Sequence, residues 1–154
     1  MAIVIAGSDP TNRTNIAAGG FTNIILSGQD FSSTPSIRGV IKSFDSYLAA
    51  AGTFKIKVFY DDGTNYVFIG ESETTASLGT GLTSGIPIWL PIERSYLIGW
   101  YSATGDVDSG AVAGLVRQAG DITTTTTKAS WGALARTPTS LKFYLSSRSA
   151  PILI

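Results

Sequence analysis

Two aspartates stand two residues apart in Gly105-Asp106-Val107-Asp108-Ser109-Gly110, with a glycine on either side. Clustered oxygen donors in a short loop are what Ca²⁺ takes, so Asp106 and Asp108 are the chain's cation candidates. The third acidic position and the distal glutamate of a helix–loop–helix calcium loop are missing, and Asp and Gly are also ordinary turn residues. Asp61-Asp62 is a weaker pair, because an Asp-Gly hairpin turn accounts for it fully. No other cofactor is indicated. Histidine and cysteine are absent, which removes the common general base, the imidazole metal ligand and the thiolate nucleophile. Paired carboxylates alone could still cleave glycosidic bonds. The acids here, however, sit in turn contexts (Asp9, Asp30) or beside strands as solvated faces do (Glu71, Glu73, Glu93). An enzyme is not expected.

Aromatic side chains offer the other chemistry. Trp131 is flanked by Thr127-Lys128-Ala129-Ser130 and Gly132, the surroundings of a loop or a strand end. An exposed indole there could stack on a sugar ring or anchor a protein interface, with Tyr101 as a second platform, and plain packing is the third reading of Trp131. Trp89 and Trp100 lie inside apolar runs and are expected in the core or an interface. Glycine-rich stretches such as Gly79-Thr80-Gly81 lack the lysine and helix context of a phosphate loop and read as turns.

Charge is scarce. Only 14% of residues are Asp, Glu, Lys or Arg, and eleven of each sign cancel, against roughly a quarter charged in an ordinary soluble domain. Net charge near zero favours association, so much of the surface is expected to be covered by copies of the chain or by neighbours. The same balance argues against nucleic acid as a partner, since Lys55 and Lys57 form the tightest basic group and no basic stripe exists. No apolar run reaches the roughly 18–20 residues of a membrane helix, and the opening Met1–Ala6 lacks the basic region and length of a signal peptide. Both ends are apolar: Ile3 and Ile5 at one, Ile152 and Ile154 at the other. Ends are usually polar, so these four either pair into the sandwich or dock on another subunit, which makes them interface candidates.

The elements that must position such residues read as short strands. Over 53–60, Phe54, Ile56, Val58 and Tyr60 alternate with Lys55 and Lys57; Asp61-Asp62-Gly63-Thr64 turns the chain, and 65–71 returns. That return strand is apolar on both faces and should be covered. Further strands are expected over 21–27, 86–92, 96–102, 111–117, 122–129 and 140–147. Pro87 and Pro91 cannot donate to a ladder, which places 86–92 at an edge or interrupts it. Residues 36–51 fit a helix, through Ile37, Val40, Ile41, Phe44 and Leu48, or a strand with Val40, Phe44 and Leu48 on one face. The strand is preferred, because β-branched residues and hairpins surround it. The five threonines 123–127 favour an exposed strand. All 154 residues are read as a single all-β domain, an antiparallel two-sheet sandwich of jelly-roll type.

The layout of residues 36–105 resembles jelly-roll domains of bacteriophage virion proteins (capsid decoration, tail and fibre modules). A strand through Val40-Ile41-Lys42-Ser43-Phe44 meets a small-residue turn, followed by Phe54–Phe59, an Asp-Gly turn, Tyr66–Gly70, then Ile86–Ile92 and Tyr96–Tyr101. The pattern is also similar to some carbohydrate-binding modules. The resemblance implies a non-enzymatic role in binding or assembly. The expectation is a virion structural subunit, assembled in the host cytoplasm as a homo-oligomer (a trimer, for instance) with other virion proteins. The alternative is a glycan-binding, lectin-like module centred on Trp131.

Overall fold

A computed structural model describes residues 3–26 and 38–147. The first strands are β1 (Ile3–Gly7), β2 (Asn15–Ala17), β3 (Phe21–Ile25), β4 (Gly39–Ala50) and β5 (Lys55–Asp61). Then come β6 (Asn65–Glu71), β7 (Gly81–Ile92), β8 (Leu97–Ser102), β9 (Asp106–Val112) and β10 (Leu115–Ala119). The series closes with β11 (Thr126–Thr127), β12 (Gly132–Leu134), β13 (Thr137–Thr139) and β14 (Leu141–Ser147). One 3₁₀ turn, Lys128–Ser130, is the only helical element among the described residues.

The strands form two antiparallel sheets. The first runs β1-β14-β4-β9-β13, with β2 beside β9 and β7 beside β4; the second runs β11-β6-β5-β8-β3-β10-β12. From β3 to β10 the chain passes back and forth between them, only β5 and β6 staying together as a hairpin. The expected sandwich is therefore present. Its core sets Ile41, Phe44, Leu48, Phe143 and Leu145 of the first sheet against Ile56, Val58, Ile98 and Trp100 of the second. Fully burying an aliphatic or aromatic side chain of this kind contributes about 1.5–3 kcal/mol.

Residues 39–50 are a strand, and the helix-like spacing has a specific origin. Opposite β14, Ile41 and Ser43 face the adjacent residues Leu145 and Tyr144, so Lys42 is an extra residue in a β-bulge. A bulge reverses the in–out phase of the remainder of its strand. Lys42 is exposed, and Ile41 joins Phe44 and Leu48 in the main core cluster, while Val40, also buried, lies outside that cluster.

Three other expectations change. The span 111–117 is two strands, with β9 ending at Val112 and β10 starting at Leu115. The segment 122–129 is strand only at Thr126–Thr127. Residues 106–110 are the start of β9, where Val107 is fully buried, and are not a loop.

The second sheet is covered on its other face as well. Ile24, Phe59, Tyr66 and Leu97 form a separate cluster under Trp131, carried by the segment after β10. The face of β6 bearing Tyr66 is thus covered, as its apolar pattern requires, while Ile69 is exposed.

Candidate functional site

Of the three readings of Trp131, packing is the one the fold supports, since the residue is only 7% exposed. Its ring stands edge-on to Phe59 and Tyr66, at centroid distances of 5.7 and 5.5 Å, and its indole N–H donates to Thr126 Oγ1 at 2.7 Å. Trp89, expected to be buried or in an interface, is 62% exposed. The local pattern already held the signal. Ile86, Leu90 and Ile92 point into the sandwich, and Trp89 alternates with them, in phase with the exposed Pro87 and Pro91.

Trp89 lies on one wall of a groove of about 620 Å³ at the seam between the two sheets, which includes Glu71, Glu73, Thr75 and Pro87. A second hollow of about 290 Å³ shares Thr75, Ala76 and Pro87 and extends the groove towards Thr83. The opposite wall, the connection from β6 to β7, is stitched to the sheet. Ile56 N–H donates to Ser72 Oγ at 2.9 Å and Phe54 N–H to Thr75 Oγ1 at 3.0 Å. The Thr75 and Ser72 amides return bonds to the Phe54 and Ile56 carbonyls, and the Leu78 amide donates to the Gly52 carbonyl. Backbone groups paired in this way hold the wall in shape.

Behind Glu71, which the sequence reading placed on a solvated face, lies a charge cluster. Lys57 faces Glu71 directly across β5 and β6, and its side chain is fully buried. Its ammonium donates to Glu71 Oε1 at 2.6 Å, Asp121 Oδ1 at 2.6 Å and the Ile122 carbonyl at 2.8 Å. All three of its protons are used. Lys55 completes the group, 2.6 Å from Asp121 and 3.3 Å from Glu71. Burial opposes ionisation of Asp121, yet hydrogen bonds from Lys55 and Lys57 outweigh it and hold the carboxyl below its usual range. The Asp121 hydrogen bond likewise raises the Lys55 ammonium. Two cations and two anions cancel, leaving Glu73 as the one charge on the groove wall without a place in the cluster.

The other expected site residues do not gather here. Tyr101 is half-buried on β8, across from Thr22 and Lys55. Asp106 and Asp108 lie under the segment that joins β1 to β3. Gly19 N–H donates to Asp106 Oδ1 at 2.8 Å and Arg13 N–H to Asp108 Oδ2 at 3.0 Å. Asp108 is 4% exposed, so this carboxylate secures the covering segment. Among the described residues, no group of three or more acidic side chains is placed to hold a metal ion. Ile3 and Ile5 lie on β1, which pairs with β14. Ile152 and Ile154 fall outside the described residues.

No protein-family model matches the chain, and neither a curated protein nor a solved structure does.

Proposed function

We propose that the chain is a non-enzymatic building block of a virus or bacteriophage particle, a capsid-decoration or tail component that works through contacts between copies and with neighbouring structural proteins. The carrying observation is the edge of β1. Among the described residues this strand pairs only with β14, and Ile3-Val4-Ile5-Ala6-Gly7 carries neither a charge nor a proline. Natural sheets blunt such edges with lysines, prolines or bulges, because an open row of backbone donors and acceptors recruits another strand.

β7 supplies the contrast within the same sheet. It carries Pro87 and Pro91 and is offset twice against β4, so it has the protection that β1 lacks. Ile5 adds an apolar side chain that is 44% exposed. The scarcity of charge favours the same association. The particle assignment draws on the resemblance of the strand layout to virion jelly rolls.

Sedimentation equilibrium over a concentration series tests the reading. The wild type is expected to form a defined oligomer, and Ile5→Asp, which puts a charge on the open edge, to shift it towards monomer. A wild type that stays monomeric at the highest concentration reached overturns the proposal.

A further inference from the structure

The groove beside β7 invites a different partner, because Trp89, 62% exposed, presents an aromatic face beside the hollow. Strand addition does not explain it. Pro87 and Pro91 flank Trp89 and donate no hydrogen bonds, and the ladder that joins β7 to β4 shifts register twice. A second copy could not zip along this edge.

We infer that the groove lined by Trp89, Pro87, Thr75, Glu71 and Glu73 binds an uncharged oligosaccharide chain. Three properties select that ligand class. An open indole face beside a proline ring offers a flat apolar platform, suited to the C–H face of a pyranose ring. Glu71 and Glu73 are acceptors that hydroxyl groups can reach. The charge is also right. Glu71 is compensated by Lys55 and Lys57 at 3.3 and 2.6 Å, so a single carboxylate, Glu73, is left on the wall, and it turns away anionic ligands. Among the described residues, its walls carry no lysine or arginine to hold a phosphate, sulfate or sugar acid.

Shape narrows the class further. The main hollow, about 620 Å³, falls within the roughly 300–1,000 Å³ of small-ligand sites. It continues through Thr75 and Pro87 into the second hollow. A continuous, open-sided trough suits a stretch of chain better than a single terminal sugar. The stitched β6–β7 connection holds one wall and the pairing of β7 with β4 the other, which lowers the entropy cost of capture.

The test is affinity electrophoresis through gels containing dextran, hydroxyethylcellulose, galactomannan or xylan, alongside an array of neutral and acidic oligosaccharides. The wild type is expected to be retarded by at least one neutral polysaccharide. Trp89→Ala should lose roughly tenfold or more in affinity, and Trp89→Phe, which keeps a ring, should keep part of it. Equal thermal melting of the variants shows that the fold is intact. Ile5→Asp should bind as the wild type does, which separates this inference from the assembly reading. Retention by none of the neutral glycans overturns it, as does undiminished binding by Trp89→Ala. Preferential binding to acidic glycans or to oligolysine overturns it too.

Discussion

Lys57 and Asp121 lie 64 residues apart in the chain and meet at 2.6 Å. The lysine ammonium is wholly enclosed, while Asp121 arrives on the segment that covers the outer face of the second sheet. This contact, with the Ile122 carbonyl beside it, ties that cover down. It also compensates Glu71 at the edge of the groove.

Lys57→Ala should therefore cost about 3 kcal/mol in chemical denaturation, because it opens space and strips two carboxylates of their main cation. Lys57→Met, which fills the same volume, should cost clearly less. In the alanine variant the Ile122 amide, which donates to Thr22 Oγ1 at 2.9 Å, should exchange faster. Stability and exchange unchanged in both variants would contradict this role.

The two tryptophans should respond oppositely to truncation. Trp131→Ala removes the cap over Phe59 and Tyr66 and is expected to destabilise by about 3–5 kcal/mol. Trp89→Ala should fall within about 0.5 kcal/mol of the wild type. Acrylamide should quench Trp89 fluorescence readily and leave Trp100 and Trp131 largely shielded, and comparison with the Trp89→Phe variant isolates the Trp89 signal.

Stability should be flat across neutral pH. Asp121 and Asp61 both ionise below the ordinary 3.8, the latter chiefly through its hydrogen bond from Lys128. Their contribution is present above that value and is lost as pH falls through the lower folded-state value. Lys55, held above 10.5 by Asp121, contributes fully below 10.5 and loses its contribution as pH rises through the raised value. With no histidine in the chain, melting temperature should hold level from about pH 5 to about pH 9 and fall on either side. A step near pH 6.5, where histidine would titrate, would contradict this.

Restoring hydrogen-bond donors to β7 should unmask its edge. The double variant Pro87→Thr, Pro91→Thr is expected to form larger species than the wild type in light scattering. Unchanged size would show that the register shifts alone protect the strand.

Much of this architecture is legible in the chain. The Asp61–Thr64 turn behaves as its residues require: Gly63 takes a positive φ of 96°, and the Asp61 and Asp62 side chains accept bonds from the Gly63, Thr64 and Asn65 amides. The edge position of β7 follows from its prolines. What escapes a local reading is whatever a distant segment decides. Phe59 shares a face with Lys55 and Lys57, and only the return of residues 121–131 turns that apparently wet face into a second cluster around Trp131. The phase reversal at Lys42 likewise needs the partner strand β14 to be seen. Asp106 and Asp108 look like loop residues because the backbone amides they accept come from residues 13 and 19, far away in sequence.

Assembly along β1, which pairs only with β14 among the described residues, is the central claim, and a spin label tests it most directly. The chain has no cysteine, so Ile5→Cys offers a single attachment point on an exposed side chain. Neighbouring strands lie about 4.8 Å apart, so labels on β1 strands that meet between copies should show strong dipolar broadening, which vanishes when labelled protein is diluted with unlabelled. Spectra that are sharp and mobile at every concentration, with no broadening to relieve, would contradict assembly through this edge.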